Sequence, residues 1–471
     1  MRPTMRPKWR IFAAALLLMI STSERAGARL FEPQAFTLAN GLQVVVVSDH
    51  RVPVVSHMVW YLVGAADEEP GRSGLAHLLE HLMFKGTPQV PQGEFSRIVG
   101  ANGGRENAFT SYDYTAYYQD IAKDRLELVM RMEADRMANL VLTEAQVTPE
   151  KLVVLEERRK RVDNQPASIL DEEAQAVSYL NHPYRRPVIG WAHEVEGLTA
   201  DDAMRFYRRW YAPNNAIVVV SGDVSAADVR PIAERTYGRL ERTPLPPRPE
   251  LREPEQHASR RITLTDARVR QPSWTRSWPA PSYRTGAVEH AYPLQVLEDI
   301  LGGGETGRLY RKLVVERSLA VSASAWYDPS ARGPSMLQVS ASPRSGVGAN
   351  EIEAAVDDVV REILDRGLSE DEVGQAKRRL AADAIYARDS YGTAARMIGE
   401  ALSTGQTLSD VEAWPERIAQ VTRARVEAAA RDILAKPTVT SILLGSGETA
   451  ADEESETAPR PPPSAAGTAI R

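Results

Sequence analysis

The sequence predicts an α+β protein of two homologous α/β-sandwich halves, each a mostly antiparallel sheet packed with helices, together forming a clamshell. Three observations carry that expectation. The chain has 471 residues, enough for two sizeable cores. The stretch 241–257 sets Pro244, Pro246, Pro247, Pro249 and Pro254 among charges, the composition of a stiff linker. On either side of it, strand-like and helix-like runs follow in the same order, a repeat far longer than that of a solenoid. Composition is ordinary for a globular protein, 43% hydrophobic and 25% charged.

Residues 1–28 read as a secretory signal. Arg2, Arg6, Lys8 and Arg10 form a basic start, Ile11 to Ile20 an apolar run, and Ala26-Gly27-Ala28 a small-residue cleavage pattern. An uncleaved N-terminal anchor is the alternative. No later segment is apolar enough to span a bilayer, so the expected location is periplasmic or secreted, with no stable membrane anchor after cleavage. The chain has no cysteine, which excludes a lipoprotein, disulfides and thiolate zinc sites. Losing the signal removes five basic residues and Glu24, taking the formal net charge from −6 to −10. Such a chain has no general affinity for nucleic acid.

The first half, 29–240, opens with an Asn40-Gly41 turn into the β-branched run Leu42 to Val47. Pro53 to Val63 is a second strand. A helix follows from about Arg72 and ends at Gly86-Thr87-Pro88. A short helix at 92–100 leads through Asn102-Gly103-Gly104 into a strand at Asn107 to Thr110, and Tyr112 to Ile121 returns as its hairpin partner. Helices are expected at 124–139, 148–162, 166–179 and 199–210, a buried strand at 215–221, and a helix at 225–237. The second half, 258–445, repeats the plan. It has strands at 260–265 and 269–278, a helix at 286–302, strands at 319–328 and 335–342, long helices across 349–433, and a last strand at 439–444. The tail, 446–471, is rich in Ser, Glu, Ala and Pro and reads as disordered.

The chemistry concentrates in His77-Leu78-Leu79-Glu80-His81. On a helix His77 and His81 share one face, and Glu80 leans toward it. Two imidazoles one turn apart can chelate a divalent ion, and a neighbouring carboxylate can handle the proton of a water that the ion acidifies. This is the inverted zinc-peptidase pattern H-x-x-E-H. A chain with eight histidines would show it by chance about once in a hundred shufflings. The bland reading is a packed core helix. A hydrolytic zinc takes three protein ligands, and without thiols a carboxylate is the natural third. Glu150 and Glu157, seven apart in an acid-rich helix, share a face with Val153 and Val154. Equally, Glu156 and Glu157 can simply open a solvated charge run to Arg161.

The sequence resembles the pitrilysin, insulin-degrading enzyme and mitochondrial processing peptidase family, most closely its short bacterial members. The resemblance covers nearly the whole mature chain. It rests on Asn40-Gly41-Leu42, Ser73-Gly74-Leu75-Ala76 running into the His77–His81 motif, Asn107-Ala108-Phe109-Thr110 with Thr115, and Leu155-Glu156-Glu157. Further matches are His182-Pro183-Tyr184 with Gly190, and Tyr207 to Tyr211 before Pro213-Asn214-Asn215. It implies one Zn2+ per chain on His77, His81 and Glu157, Glu80 as general base, and Glu150 orienting a ligand. It also implies that Asn107, Ala108, Phe109 and Thr110 form an edge strand that takes up a peptide substrate.

The second half departs from the family pattern. Gly302 to Tyr310 matches the glycine stretch, but lacks the ending of a phosphate loop. Active members place an Arg, and seven residues later a Tyr, in the turn that follows. Here those places hold Val314 and Val321, which donate no hydrogen bond. The resemblance therefore implies a zinc-dependent endopeptidase that is the zinc-bearing subunit of a heterodimer, its sister chain supplying the Arg/Tyr pair. A homodimer with other donors, and a non-catalytic peptide-binding or structural subunit, are the alternatives.

Overall fold

The computed structural model describes residues 30–248 and 252–446. The first sheet contains β1 (Gln34–Thr37), β2 (Gln43–Ser48), β3 (Val54–Tyr61), β4 (Arg105–Thr110), β5 (Thr115–Ala122) and β6 (Ala216–Gly222), in the order β1-β2-β6-β3-β5-β4. The second contains β7 (Arg260–Thr265), β8 (Ser273–Ala280), β9 (Ala320–Tyr327), β10 (Ser335–Pro343) and β11 (Val439–Leu444), in the order β7-β11-β8-β10-β9. Leaving out β1, both sheets read first, last, second, fourth, third. In both, only the first and last strands pair in parallel. The halves are thus two copies of one plan, as the repeat predicts, and β4 and β9 are equivalent edge strands.

Helices of the first half are α1 (Leu75–Leu82), α2 (Glu94–Ala101), α3 (Leu126–Asn139), α4 (Glu144–Arg158), α5 (Pro166–Ser178), α6 (Ala192–Gly197), α7 (Ala200–Trp210) and α8 (Ala226–Arg235). Those of the second are α9 (Ala291–Gly302), α10 (Ala349–Arg366), α11 (Glu370–Tyr386), α12 (Tyr391–Ser403), α13 (Leu408–Glu412), α14 (Trp414–Ala419) and α15 (Arg423–Leu434). Strands β2, β3 and β6 are buried almost throughout. Their unbroken valine-rich runs suit a sheet covered on both faces.

The second face of each sheet is covered by the other half. Ala394, Ala395, Ile398 and Ala401 of α12 pack on Val45, Met58, Trp60 and Val219 of the first sheet. A Cβ at Gly399 would stand 2.0 Å from the Trp60 ring, so only glycine lets α12 approach this closely. In return, α5 packs on β11 and β7. The hairpin between β9 and β10 adds a polar clasp. Arg332 donates through Nη2 to Asp67 at 2.9 Å and through Nε to Asp113 at 3.0 Å, and Tyr184 donates to the same Asp113 at 2.5 Å.

Several boundaries differ from expectation. Helix α4 starts at Glu144, not 148, because Thr143 and Gln146 form a capping box, and Pro149 lies inside the helix. Helix α1 starts at Leu75, since Gly74 before it takes φ +85°. Strand β8 starts at Ser273, the preceding residues being held in a turn where Asp266 accepts from the Arg268 amide at 2.8 Å. Helix α6 was not expected. The expected linker carries no helix or strand where it is described, yet it is tied down: Glu253 accepts from the amides of Asn181 and His182 at 3.0 and 2.7 Å. The expected signal, and the expected tail beyond Ser446, lie outside the described residues. Among the described residues no helix is long and apolar enough to cross a membrane.

Candidate metal centre

Helix α1 buries Leu75, Leu78, Leu79 and Leu82 in the first core and carries His77, Glu80 and His81 beside them. Gly74 has no side chain to cap the helix, and Glu68 does so from the preceding loop. Its carboxylate accepts from the amides of Ala76 at 2.8 Å and Gly74 at 3.2 Å, while Glu194 accepts from Ser73 at 2.7 Å. Carboxylates here meet the free N–H groups and the positive end of the helix dipole. Burial nonetheless drives the Glu68 carboxyl up to about 8.

Helix α4 packs against α1 and presents Glu150 and Glu157 to it. The Nε2 atoms of His81 and His77 lie 3.3 and 3.8 Å from the two oxygens of Glu157. Ligand atoms of His77, His81 and Glu157 all fall within 4.8 Å of one another. Bonds of about 2.1 Å to a tetrahedral zinc place neighbouring ligand atoms about 3.4 Å apart, so this set fits the ion. Behind it, His81 Nδ1 lies 2.9 Å from Glu150 Oε1, and Lys85 pairs with the other Glu150 oxygen. That pairing leaves Nε2 of His81 turned toward Glu157. Both glutamates also take part in the charge run to Arg161: Glu156 is half exposed and pairs with Arg159 at 2.6 Å, and Glu157, mostly covered, pairs with Arg161 at 2.6 Å on the side of its carboxylate nearer His77.

The electrostatics ask for a cation here. Burial and the neighbouring His81 hold the His77 imidazole down at about 4. Burial opposes charge on His81 too, but hydrogen bonds to Glu150 and Glu157 overcome it and lift that imidazole to about 9. The His81 contact in turn draws both glutamates below the usual carboxylate range. A proton on His81 Nε2 and a divalent ion answer the same demand at the same atom.

Glu80 reaches β4, where the Thr110 hydroxyl donates to its Oε2 at 2.6 Å. Burial raises the Glu80 carboxyl, and the Thr110 bond partly offsets this. Register with β5 places Ala108 opposite buried Tyr117, on the α1 side of the sheet with Thr110. Asn107 and Phe109 point to the opposite face, where α12 lies. Strand β4 pairs only with β5, so its other edge is unpaired in the sheet.

Among the described residues the second half has no such centre. Matching Leu79-Glu80 to Leu297-Glu298 of α9 puts Gln295 where His77 stands and Asp299 where His81 stands. Arg379 of α11 grips Asp299 through both Nε and Nη2, so a tethered guanidinium supplies the positive charge. Val314 is packed against the second core, and Val321 is exposed on β9. Sequence reasoning missed Glu68, Lys85 and the role of Thr110 as partner of Glu80. The only signal was the position of Glu68, an acid shortly before the helix start.

Comparisons with known proteins identify the family. Residues 43–191 match the family model "Insulinase (Peptidase family M16)", and 197–380 match "Peptidase M16 inactive domain". The zinc protease PqqE of Helicobacter pylori is 35% identical over 316 residues, 66% of this chain and 70% of that protein. An uncharacterized zinc protease of Mycobacterium tuberculosis is 31% identical over 412 residues, covering 87% and 92% of the two chains. The crystal structure of a protease from Helicobacter pylori superposes with a TM-score of 0.81 at 28% identity, over 88% of this chain and 99% of that one. The periplasmic protease PqqL of Escherichia coli shares the fold, with a TM-score of 0.75 at 18% identity over 88% of this chain and 47% of that one. The chain belongs to the M16 family of zinc peptidases, the insulinase and pitrilysin family.

Proposed function

We propose that this protein is a zinc-dependent endopeptidase of the periplasm or cell exterior that hydrolyses extended peptides as the zinc-bearing subunit of a two-chain enzyme. The observation that carries the reading is one constellation: a three-ligand cluster fitted to zinc, with Glu80 one helical position from His81 and fixed by Thr110. His77, His81 and Glu157 would hold the ion, and Glu150 would set the tautomer and angle of His81. Bound zinc supplies Lewis acidity that brings a water's pKa toward ~7.

Every other step belongs to the chain's own groups. A peptide adds to the free edge of β4 through main-chain hydrogen bonds, beside Asn107, Ala108, Phe109 and Thr110, which makes side-chain selection permissive. Glu80 accepts the proton of the attacking water and delivers it to the leaving amine. A carboxyl raised by burial suits both halves of that task. No Arg and Tyr stand at positions 314 and 321 to stabilise the oxyanion, and a missing donor costs on the order of a hundredfold in rate. A sister chain carrying that pair would restore it.

The second reading is a non-catalytic peptide-binding subunit, and Val314 and Val321 are what favour it. One experiment separates the two: zinc content and turnover of a quenched peptide by wild type and Glu80→Gln, each alone and with the product of a neighbouring family gene. The peptidase reading expects zinc in both proteins and turnover only by wild type, rising sharply with the partner. Zinc-loaded wild type with no turnover in any mixture would leave the binding subunit.

A further inference from the structure

The second half contributes a cation to the neighbourhood of the substrate strand. Arg396 of α12 is exposed and stacks on two rings of the first sheet, 4.6 Å from the centroid of Phe109 and 5.7 Å from that of Tyr118. Among the described residues it makes no ion pair and no hydrogen bond. Phe109 sits on β4 directly before Thr110, the residue bonded to Glu80. The guanidinium therefore lies on the face of the sheet opposite α1, over the strand position next to Thr110.

Other charges on that side do not cancel it. Arg105 and Asp120 face each other at 3.6 Å and neutralise one another. Glu400, one turn further along α12, meets the Tyr114 hydroxyl at 3.2 Å. Burial, with Asp328 nearby, pushes its carboxyl up to about 7 against the pull of Tyr114 and of Arg396 itself, so it offsets that arginine only in part at neutral pH. A chain with formal net charge −6 thus exposes, beside its substrate edge, an arginine that Glu400 offsets only in part and that no ion pair holds.

We infer that Arg396 is a specificity residue: it favours peptides with an acidic side chain at the position lying beside Phe109. Side chains alternate along a strand, and cross-strand neighbours point to the same face. A peptide residue paired beside Phe109 must therefore project toward Arg396, while its two neighbours project toward α1. The Phe109 ring holds the guanidinium in place by cation–π stacking and leaves its N–H groups free for a carboxylate. The inference rests on peptide uptake along β4, and it adds a substrate class to the proposed activity.

The test uses the full-length zinc-loaded protein with Glu80→Gln, so that peptide is bound without being cut. A fluorescein-labelled, uncharged Thr/Val decapeptide carries one Glu, Gln or Lys walked along its length, and anisotropy reads the affinity. One position should show binding about fivefold tighter for Glu than for Gln, the scale of a partly exposed charge pair. The preference should shrink in 0.5 M salt. Adding Arg396→Ala should abolish it, Arg396→Lys should keep most of it, and Arg396→Glu should turn it toward Lys. A Glu preference that survives Arg396→Ala, or no preference at any position, overturns the inference. Arg396-dependent binding with no turnover by the chain with Glu80 intact removes the peptidase reading alone. Turnover without Arg396 dependence removes this inference alone.

Discussion

The Thr110 hydroxyl donates a 2.6 Å hydrogen bond to Glu80, and through it the edge strand and the metal helix hold each other in register. Whatever lies along β4 is thereby placed relative to the group that would move the proton. Thr110→Val should lower kcat/KM about tenfold or more, the value of one hydrogen bond to a charged group. Zinc content should stay at wild-type level and Thr110→Ser should recover most of the rate. Equal loss in the Ser and Val variants would refute this role.

Removing individual groups from the cluster should separate binding from chemistry. His77→Ala and Glu157→Gln should each purify with little or no zinc by atomic absorption. Glu80→Gln should keep its zinc and lose about two to four orders of magnitude in kcat. Glu150→Gln should weaken zinc about 10- to 100-fold, because His81 loses the carboxylate that orients it. Competition with a chromophoric chelator measures all four.

Glu68 should give stability a pH slope. Its carboxyl titrates near 4.5 when unfolded and is raised to about 8 by burial in the folded chain. Between those values the folded state holds the extra proton, so this group's contribution to stability is present at the acid end and falls as pH rises toward 8. Glu68→Gln, which keeps a neutral acceptor for Gly74 and Ala76, should flatten that slope in urea melts taken from pH 5 to 8. An unchanged slope would mean that Glu68 does not titrate in this window.

Arg332 should matter to the whole molecule. Replacing it with Met removes the part-buried cation that faces both Asp67 and Asp113, leaving Asp67 with Arg248 and Asp113 with the Tyr184 hydroxyl. Losing charge-assisted hydrogen bonds of this kind costs about 1–3 kcal/mol. The urea midpoint should drop accordingly. Gly399→Ala should also destabilise, by about 1–3 kcal/mol, because its methyl overlaps the Trp60 ring.

Much of this was legible in the chain, and the limits have physical causes. The β-branched runs and the proline-rich boundary disclosed the duplicated plan, because burial on both faces of a sheet leaves a one-dimensional trace. His77, Glu80 and His81 were legible because helical spacing alone puts them on one face. Glu157 needed the resemblance, since periodicity could not separate it from Glu156. The start of α4 lies earlier than the expected 148, at a Thr143–Gln146 capping box, and Pro149 falls inside the helix. The partnerships of Arg332, Arg396 and Glu68 were invisible. Each joins elements far apart in sequence, and no local pattern records which sheet an amphipathic helix will cover.

The crossing of α5 and α12 changes what the linker means. Each half is folded against an element that belongs to its sibling, so the chain has the connectivity of a domain-swapped dimer whose two protomers have been fused. Cutting at residues 249–251 would not release two independent modules. It would convert an intramolecular embrace into a concentration-dependent association, and the first fragment alone would show the Val45, Met58, Trp60 and Val219 face that α12 now covers to water. The tether supplies an effective concentration that a pair of separate fragments would have to reach in solution.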